Sequence, residues 1–407
     1  MSSFVICGGK KLSGSVEISG SKNAALPIIF AAVTVNGVSV LKNVPRITDV
    51  DIAIELISDL GAKVVRAGNS VTIDTRELVY ARPRTDLQSK IRASTYLLGA
   101  TLARFGVAHV ESFGGCNFEP RPIDMHIYAA TRLGAKLEEN TIFADRLIGA
   151  DIYFDKVSVG ATVNSIIMAS VANGKTTIFN PAIEPHVLSL IAFYRKAGIK
   201  IETRVGSITV YGGNPQSSSI KIIPDMIEAG TFAALSIMTG SDFEIRGVNR
   251  GHLTEFFNPL IKSGAIVSLC ADAFRIGGEI SAPLNIVTAP YPAFPTDLQP
   301  IIAPIMLKYC GGRVTDTVWR GRFGYLNELA KFGGDFSLED NSATLHKSHL
   351  HNATSVARDL RGGASQALVA LSVEGESEIK EAQTVKRGYE DFIDKLASLG
   401  ALIYEKS

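Results

Sequence analysis

Apolar and polar positions follow one pattern that recurs six times along the chain. Each copy reads as a strand, an apolar helix, a strand, an amphipathic helix and two further strands. A glycine ends the amphipathic helix of every copy, at spacings of roughly 65 to 73 residues. These glycines are Gly61, Gly134, Gly198, Gly264, Gly333 and Gly400. The sequence therefore predicts six copies of a βαβαββ unit.

The first helix of each copy is apolar on every face, as in residues 232–238 and 367–371. Such a helix must be buried, and the sheets must then lie outside it. We therefore expect an inside-out α/β fold in which helices fill the core and strands face solvent. A doubly wound fold has the opposite arrangement, with its sheet between helices.

The length of 407 residues favours two domains, each of three copies. A polar, turn-rich run at 212–219 suggests one boundary, and a second chain crossing is expected at 19–21. If the strand at 16–18 closes the C-terminal half, the domains are 22–215, and 1–21 together with 216–407. Two crossings would then form a double hinge, with an active site in the cleft between the domains.

Two uncharged stretches, 24–41 and 157–174, raise the question of a membrane span. Asn36-Gly37 interrupts the first, and Asn173-Gly174 ends the second. We therefore expect two core helices of about three turns each and no membrane span.

The composition is that of a soluble globular protein, with 46% hydrophobic and 20% charged residues. A net charge of +1 gives no general attraction to nucleic acid or to a membrane surface. Four cysteines without a CxxC spacing argue against a zinc site and a disulfide framework, and favour a reducing cytoplasm. The first seven residues lack the pattern of a signal peptide. Cys7, Cys270 and Cys310 lie in apolar stretches and are expected in the core.

The stretch 114–126 combines a thiol with a fixed cation, since Cys116 lies five residues before Arg121. Two glycines precede the thiol, and Pro120 and Pro122 restrict the backbone beside Arg121. A nearby cation lowers the pKa of a thiol, and an arginine fork suits phosphate or carboxylate. From the residues alone, Cys116 could also be a small loop residue and Arg121 a surface charge. His126, at the end of the stretch, is expected to be a positioned loop residue and not a ligand.

Two further candidates lie at predicted helix starts. Lys22 opens an apolar helix, where backbone N–H groups favour an anion, although a solvated lysine fits the position too. Asp297 follows Pro292 and Pro295, which would hold its carboxylate rigidly. A turn aspartate or helix cap before residues 298–307 is the alternative.

Six segments together carry a likeness to a known family over residues 1–407. They are 19–27 (SGSKNAALP), the Gly-Gly-Cys stretch, 155–162 (DKVSVGAT), 290–297 (PYPAFPTD), 359–361 (DLR) and 387–391 (RGYED). In combination they resemble the UDP-N-acetylglucosamine enolpyruvyl transferase family. That resemblance implies two inverse α/β barrel domains, as in enolpyruvylshikimate phosphate synthase.

The resemblance also implies a reaction. Members of this family transfer the enolpyruvyl group of phosphoenolpyruvate to the 3-hydroxyl of UDP-N-acetylglucosamine and release phosphate, as the committed step of peptidoglycan synthesis. No cofactor and no metal would be needed. The expected partners are these two small molecules, with no nucleic acid and no membrane, and we expect a cytoplasmic monomer.

The family's site residues transfer to matching positions of this sequence. Cys116 resembles the proton donor and Asp297 the base for the 3-hydroxyl, while Lys22 and Arg387 are expected to be catalytic phosphate ligands. Arg121 resembles a further phosphate ligand, and Arg322 and Arg361 match positions near the donor carboxylate. The remaining substrate-binding positions are Asn23, Arg92, Pro122, Ile123, Asp124, Met125, Lys156, Val157, Ser158, Val159, Gly160, Val318, Trp319 and Asp359. Of these, residues 122–125, with Arg121, match the family's segment for uracil and ribose, and residues 156–160 match its diphosphate site.

Three segments depart from the family's usual residues. They are 117–120, where Glu119 could pair with Arg121, 319–321, where Trp-Arg-Gly replaces the more common Phe-Glu-Asn, and 184–186, where Glu-Pro-His replaces Glu-Pro-Glu. Because these segments border the acceptor and the loop of the thiol, two other readings stay open. One is a related transferase that acts on another nucleotide or UDP-sugar. The other is a catalytically silent regulator that binds a UDP-sugar.

Overall fold

The six predicted repeats fold into two units. The computed structural model describes residues 2–110, 114 and 122–406. One unit contains residues 20–223, and the other contains 1–19 and 224–407. We call them the N-terminal and the C-terminal unit.

The elements follow the chain in the order of the repeats. Up to residue 223 they are β1 (Ser3–Gly8), β2 (Ser15–Glu17), α1 (Lys22–Ala31), β3 (Val38–Lys42), α2 (Thr48–Asp59), β4 (Lys63–Ala67), β5 (Ser70–Asp74), α3 (Thr85–Gln88), α4 (Tyr96–Phe105), β6 (Val107–His109), α5 (Asp124–Arg132), β7 (Lys136–Glu138), β8 (Thr141–Phe143), β9 (Asp151–Tyr153), α6 (Val159–Ala169), β10 (Lys175–Phe179), α7 (Pro185–Lys196), β11 (Lys200–Arg204), β12 (Ser207–Tyr211) and β13 (Ser218–Lys221).

The C-terminal unit continues the same order. Its further elements are α8 (Met226–Thr239), β14 (Glu244–Arg246), α9 (Thr254–Lys262), β15 (Ala265–Leu269), β16 (Ala273–Gly278), β17 (Leu284–Thr288), α10 (Gln299–Ile305), β18 (Gly312–Asp316), α11 (Leu326–Ala330), β19 (Asp335–Glu339), β20 (Ser342–His346), β21 (Thr354–Val356), α12 (Leu360–Ser372), β22 (Gly375–Lys380), α13 (Gln383–Lys386), α14 (Phe392–Ser398) and β23 (Leu402–Lys406).

Backbone conformation explains why glycine occupies the position that marks each repeat. Each follows the amphipathic helix of its repeat and has a positive φ, where an L side chain is strained. The φ angles are 90° for Gly61, 93° for Gly134, 89° for Gly198, 114° for Gly264, 89° for Gly333 and 95° for Gly400. The backbone therefore ends these six helices in the same way, and this shared ending makes the repeat visible in the sequence.

Three sheets lie in each unit within the described ranges. In the N-terminal unit the strand orders are β13-β3-β5-β4, β6-β8-β7 and β11-β12-β10-β9. In the C-terminal unit they are β21-β22-β1-β23, β15-β16-β14-β2 and β17-β18-β20-β19. Parallel and antiparallel pairs mix in these sheets, since β18 is parallel to β17 and antiparallel to β20.

The repeats exchange their first strands where the chain crosses from one unit to the other. Strand β2 precedes α1 in sequence but runs parallel to β14, with Val16 opposite Ile245. Strand β13 precedes α8 but runs parallel to β3, with Ile220 opposite Leu41. The predicted boundary at residue 215 therefore lies eight residues before the division at 223, because pairing of β13 keeps residues 216–223 in the N-terminal unit.

Apolar helices form the centre of each unit, as predicted. Residues 24–31 of α1 and 161–169 of α6 are all buried, and so are residues 227–238 of α8. Strand side chains instead alternate, as in β17, where every second residue is buried. Helices inside and sheets outside confirm the predicted inverse α/β barrel fold. None of the helices among the described residues is both long and apolar enough to span a membrane.

Candidate active site

Two buried arginines face the carboxylate of Asp297 in the C-terminal unit. Asp297 lies in a short 3-10 helix (Thr296–Leu298), and the N-cap position of α10 is Leu298. Arg322 Nη2 donates to Asp297 Oδ1 at 2.7 Å, and Arg361 Nη2 lies 3.6 Å from Oδ2. Asp297 is thus held as the partner of two cations and does not occupy the cap position that its sequence also allowed.

Arg361 is a buried cation with unused donors. It is 1% exposed, and its Cζ lies 4.9 Å from the centre of the Tyr389 ring. Among the described residues, its Nε, Nη1 and Nη2 have no hydrogen-bond partner. Burial opposes the charge, but Tyr389 and Asp297 raise the pKa of the guanidinium above its ordinary value, so it stays charged. Because buried donors without acceptors are costly, this site suits the oxygens of a carboxylate or phosphate.

The neighbouring elements fix the direction of these arginines. Asp359 caps α12 and accepts hydrogen bonds from the N–H groups of Arg361 and Gly362 at 3.0 and 2.9 Å. Arg361 therefore leaves the first turn of a rigid, buried helix. Arg387 follows α13 and is half-buried in the same unit.

The segment that departs from the family pattern at 319–321 has a defined backbone. Val318 and Trp319 are half-buried, and both donate their N–H groups to Asp316 Oδ1 at 2.9 Å. Gly321 has a φ of 70°. Glycine and asparagine are the residues best tolerated in this left-handed region, so glycine at 321 in place of the family's asparagine preserves the turn before Arg322.

Lys22 occupies the first residue of α1 in the N-terminal unit, followed by Asn23. Its Nζ lies 2.9 Å from Asp49 Oδ2, and the two side chains are 12% and 4% exposed. A solvated lysine at a helix start would be far more exposed. The buried partner instead holds Lys22 at the end of the helix where N–H groups favour an anion.

The predicted nucleotide segments lie at the start of two helices of the N-terminal unit. Ser158 caps α6 and accepts from the N–H of Ala161 at 3.3 Å, and Val159 and Gly160 form the first turn. Lys156 is exposed and Val157 half-buried. Residues 122–125 lead into α5, with Asp124 as its first residue, and Arg92 begins a short 3-10 helix (Arg92–Thr95). N–H groups at such helix starts suit a diphosphate.

His126 is a buried helix residue, whereas the sequence suggested a loop. Its Nδ1 lies 2.6 Å from Asn164 Nδ2. The Asn164 amide is oriented by the N–H of Gly99, which donates to Oδ1 at 3.1 Å, and by the carbonyl of Thr95, which accepts from Nδ2 at 2.9 Å. Nδ1 must therefore accept, and the neutral ring carries its proton on Nε2. Burial, with Arg92 as a smaller contribution, lowers the pKa of His126 to about 4.

This buried histidine predicts a loss of stability on acidification. The unfolded chain takes up a proton near pH 6.5, whereas folded His126 does so only near pH 4, so folding stability falls as the pH decreases through this window. The difference corresponds to about 3 kcal/mol at most. Unfolding of wild type and His126→Asn between pH 7 and 4 would measure it. On acidification, the free energy of unfolding of His126→Asn should fall by about 3 kcal/mol less than that of wild type. The variant at the exposed His346, His346→Asn, should follow wild type. Parallel curves for wild type and His126→Asn would contradict this expectation.

Three residues singled out in the sequence are not described by the structure, and one further cysteine lies in a different environment from the one expected. Cys116, Arg121 and Glu119 fall outside the described residues. Cys270 was expected in the core but is exposed, because it lies in the turn after β15. Within residues 2–110, 114 and 122–406, no three His, Cys, Asp or Glu side chains are grouped so that they could hold a metal ion.

Three residues that contact or border candidate residues were not themselves predicted. Asp49 pairs with Lys22, Asp316 accepts from Val318 and Trp319, and the ring of Tyr389 covers Arg361. Their only signals in the sequence are a polar residue at a helix start, an aspartate at the end of a strand, and an aromatic residue beside Arg387. None of these distinguishes a site residue from an ordinary one.

The inverse α/β barrels and the two buried arginines beside Asp297 fit an enolpyruvyl transferase, and comparison with known proteins agrees. The sequence model of the family EPSP synthase (3-phosphoshikimate 1-carboxyvinyltransferase) matches residues 6–396. The chain therefore belongs to the EPSP synthase family.

Curated relatives of the chain carry names that are more specific than that of the family. A protein of Caldanaerobacter subterraneus named UDP-N-acetylglucosamine 1-carboxyvinyltransferase 3 is 39% identical, over 98% of either chain. A UDP-N-acetylglucosamine 1-carboxyvinyltransferase of Halothermothrix orenii is 38% identical, over 98% of this chain and 99% of that one.

Solved structures agree with the fold. The enolpyruvyl transferase NikO of Streptomyces tendae matches with a TM-score of 0.88 and 26% identity, over 100% of this chain and 99% of that one. EPSP synthase of Acinetobacter baumannii matches over the full length of both chains with a TM-score of 0.74 and 17% identity, which supports the fold alone.

Proposed function

We propose that this protein transfers the enolpyruvyl group of phosphoenolpyruvate to the 3-hydroxyl of UDP-N-acetylglucosamine and releases phosphate. The observation that carries the proposal is Asp297 between Arg322 and the buried donors of Arg361. A carboxylate that can accept a hydroxyl proton thus lies beside donors that suit an anionic substrate. The names of full-length relatives supply the acceptor. We further propose that the enzyme is a cytoplasmic monomer that uses no cofactor and acts in peptidoglycan synthesis.

The chemistry divides into addition and elimination. In the addition, Asp297 takes the proton of the sugar hydroxyl, the oxygen bonds to C2 of phosphoenolpyruvate, and Cys116 gives a proton to the methylene carbon. In the elimination, that carbon returns a proton to the Cys116 thiolate, the C2–O bond to phosphate breaks, and the double bond returns. The phosphate leaves with the proton that was taken from the hydroxyl. Lys22, Arg121 and Arg387 would stabilise the departing phosphate, and Arg322 and Arg361 the carboxylate.

Phosphate release tests the reaction and its acceptor. Purified protein is given phosphoenolpyruvate with UDP-N-acetylglucosamine, other UDP-sugars or free nucleotides, and product mass is confirmed. We expect release with UDP-N-acetylglucosamine above the other acceptors. Preference for another acceptor would support the related-transferase reading. Absence of release with all of them would overturn the proposal and leave a silent binding protein.

The proposal assigns Cys116 as the reactive thiol, and covalent labelling can test this. Fosfomycin alkylates the corresponding thiol in the family, so we expect one adduct on wild type and none on Cys116→Ala, as read by intact-protein mass spectrometry. Cys270→Ala is the matched control, since Cys270 is exposed and yet is expected to stay unlabelled. An adduct that persists on Cys116→Ala would show that another thiol reacts.

A further inference from the structure

The carboxylate of Asp316 gathers four hydrogen bonds at the end of β18. It is fully buried, and its Oδ1 accepts from Thr288 Oγ1 at 2.7 Å and from the N–H groups of Val318 and Trp319 at 2.9 Å. Its Oδ2 accepts from Thr296 Oγ1 at 2.7 Å. One carboxylate therefore ties together the end of β17, the 3-10 helix of Asp297 and the segment before Arg322.

The hydrogen bond from Thr296 has a fixed direction. An ionised carboxylate can only accept, so the single proton of the Thr296 hydroxyl points at Asp316. The hydroxyl oxygen then presents its lone pairs to Arg322, whose Nη1 donates to it at 2.9 Å. Hydrogen bonds in such a chain polarise one another, so the charge of Asp316 makes this hydroxyl a better acceptor.

Arg322 is thereby held at two points. Nη1 is fixed by Thr296, and Nη2 donates to Asp297 Oδ1 at 2.7 Å. A guanidinium is planar, so fixing one nitrogen sets the direction of the other. The path Asp316–Thr296–Arg322–Asp297 thus helps to set where the Asp297 carboxylate lies, together with Arg361 at 3.6 Å from Oδ2.

We propose that Asp316 is a positioning residue for the transfer reaction, which acts through Thr296 and Arg322 to align the Asp297 carboxylate with the acceptor hydroxyl. This inference rests on the proposed function, in which Asp297 is the base. The same carboxylate holds the backbone of Val318 and Trp319, and this second role can be separated from the first by the choice of variant.

Asp316→Asn and Thr296→Val interrupt the path at different points. In Asp316→Asn, the amide oxygen can still accept the hydrogen bonds from Thr288, Val318 and Trp319. This places the NH₂ group against Thr296. The Thr296 hydroxyl then has to accept from two N–H groups and its own proton loses its acceptor, so its bond to Arg322 weakens. In Thr296→Val, that bond is absent.

We expect kcat to fall about tenfold to a hundredfold in either variant, with the KM for the UDP-sugar changed less than about threefold. The double variant should be no worse than the poorer single variant, because both act on one path. Thr296→Ser keeps the hydroxyl and should restore kcat to within about twofold of wild type. Thr288→Val is the matched control, since it removes another hydrogen bond to Asp316 and should leave kcat within about twofold.

Each outcome decides a different question. A wild type that releases no phosphate with any acceptor would defeat the proposed function itself. Active wild type with normal kcat in Asp316→Asn and Thr296→Val would overturn the positioning role alone. Additive losses, or a KM for the UDP-sugar that rises as much as kcat falls, would equally overturn it and assign Asp316 to the general structure of the loop.

Discussion

Replacing Asp297 by asparagine is expected to lower kcat of enolpyruvyl transfer by about a thousandfold, because the amide cannot take the proton of the acceptor hydroxyl. Asparagine has nearly the same shape, and the helix cap at Leu298 does not use the Asp297 side chain. The dissociation constant of the UDP-sugar should therefore change less than about threefold. Steady-state phosphate release and calorimetric titration with the UDP-sugar would measure the two effects.

The control for this variant is another aspartate of the C-terminal unit that pairs with an arginine. Asp242 lies 3.3 Å from Arg275, with a side chain that is 79% exposed. Asp242→Asn should leave kcat unchanged, since an exposed ion pair contributes little. An Asp297→Asn variant with at least a tenth of wild-type kcat would exclude Asp297 as the base.

Replacing Arg361 by methionine is expected to lower kcat/KM for phosphoenolpyruvate by about a thousandfold without destabilising the fold. Burial of the guanidinium is costly, because three of its nitrogens lack hydrogen-bond partners among the described residues. Methionine has a similar length and no such cost, so the unfolding temperature should stay the same or rise. Opposite effects on activity and stability would mark a residue kept for ligand binding.

Thermal unfolding and initial rates over a range of phosphoenolpyruvate concentrations would test this expectation. Arg313→Met serves as the control, since Arg313 is half-exposed and pairs with Glu339 at 3.0 Å on the surface. It should change neither quantity measurably. If Arg361→Met unfolded well below the wild-type temperature with a proportional loss of activity, Arg361 would be a structural residue.

Local patterns predicted the elements of this fold well. The core helices expected within 24–41 and 157–174 are present as α1 and α6. Such features depend on neighbouring residues and on the backbone requirements of single glycines. The candidate residues of the C-terminal unit came from the family resemblance, and the structure brings Asp297, Arg322 and Arg361 together.

Burial and strand partners could not be predicted in the same way. Cys270 lies in an apolar run and yet is exposed, while His126 was assigned to a loop and is 4% exposed in a helix. The predicted boundary at 215 lies eight residues before the division at 223, because β13 pairs with β3, more than a hundred residues earlier in the chain. Each outcome depends on elements that are distant in sequence.

By itself, the sequence determined six repeats, their buried apolar helices and the glycines that end their amphipathic helices, because these follow from periodicity and φ over a few residues. Only the tertiary structure decided which strand closes which sheet, and which partners surround Lys22, Arg361 and Asp297. Asp49 and Asp316 look ordinary in sequence because their role comes from a partner on another element. Long-range packing sets that geometry, and it is the packing that turns a repeated fold into a particular site.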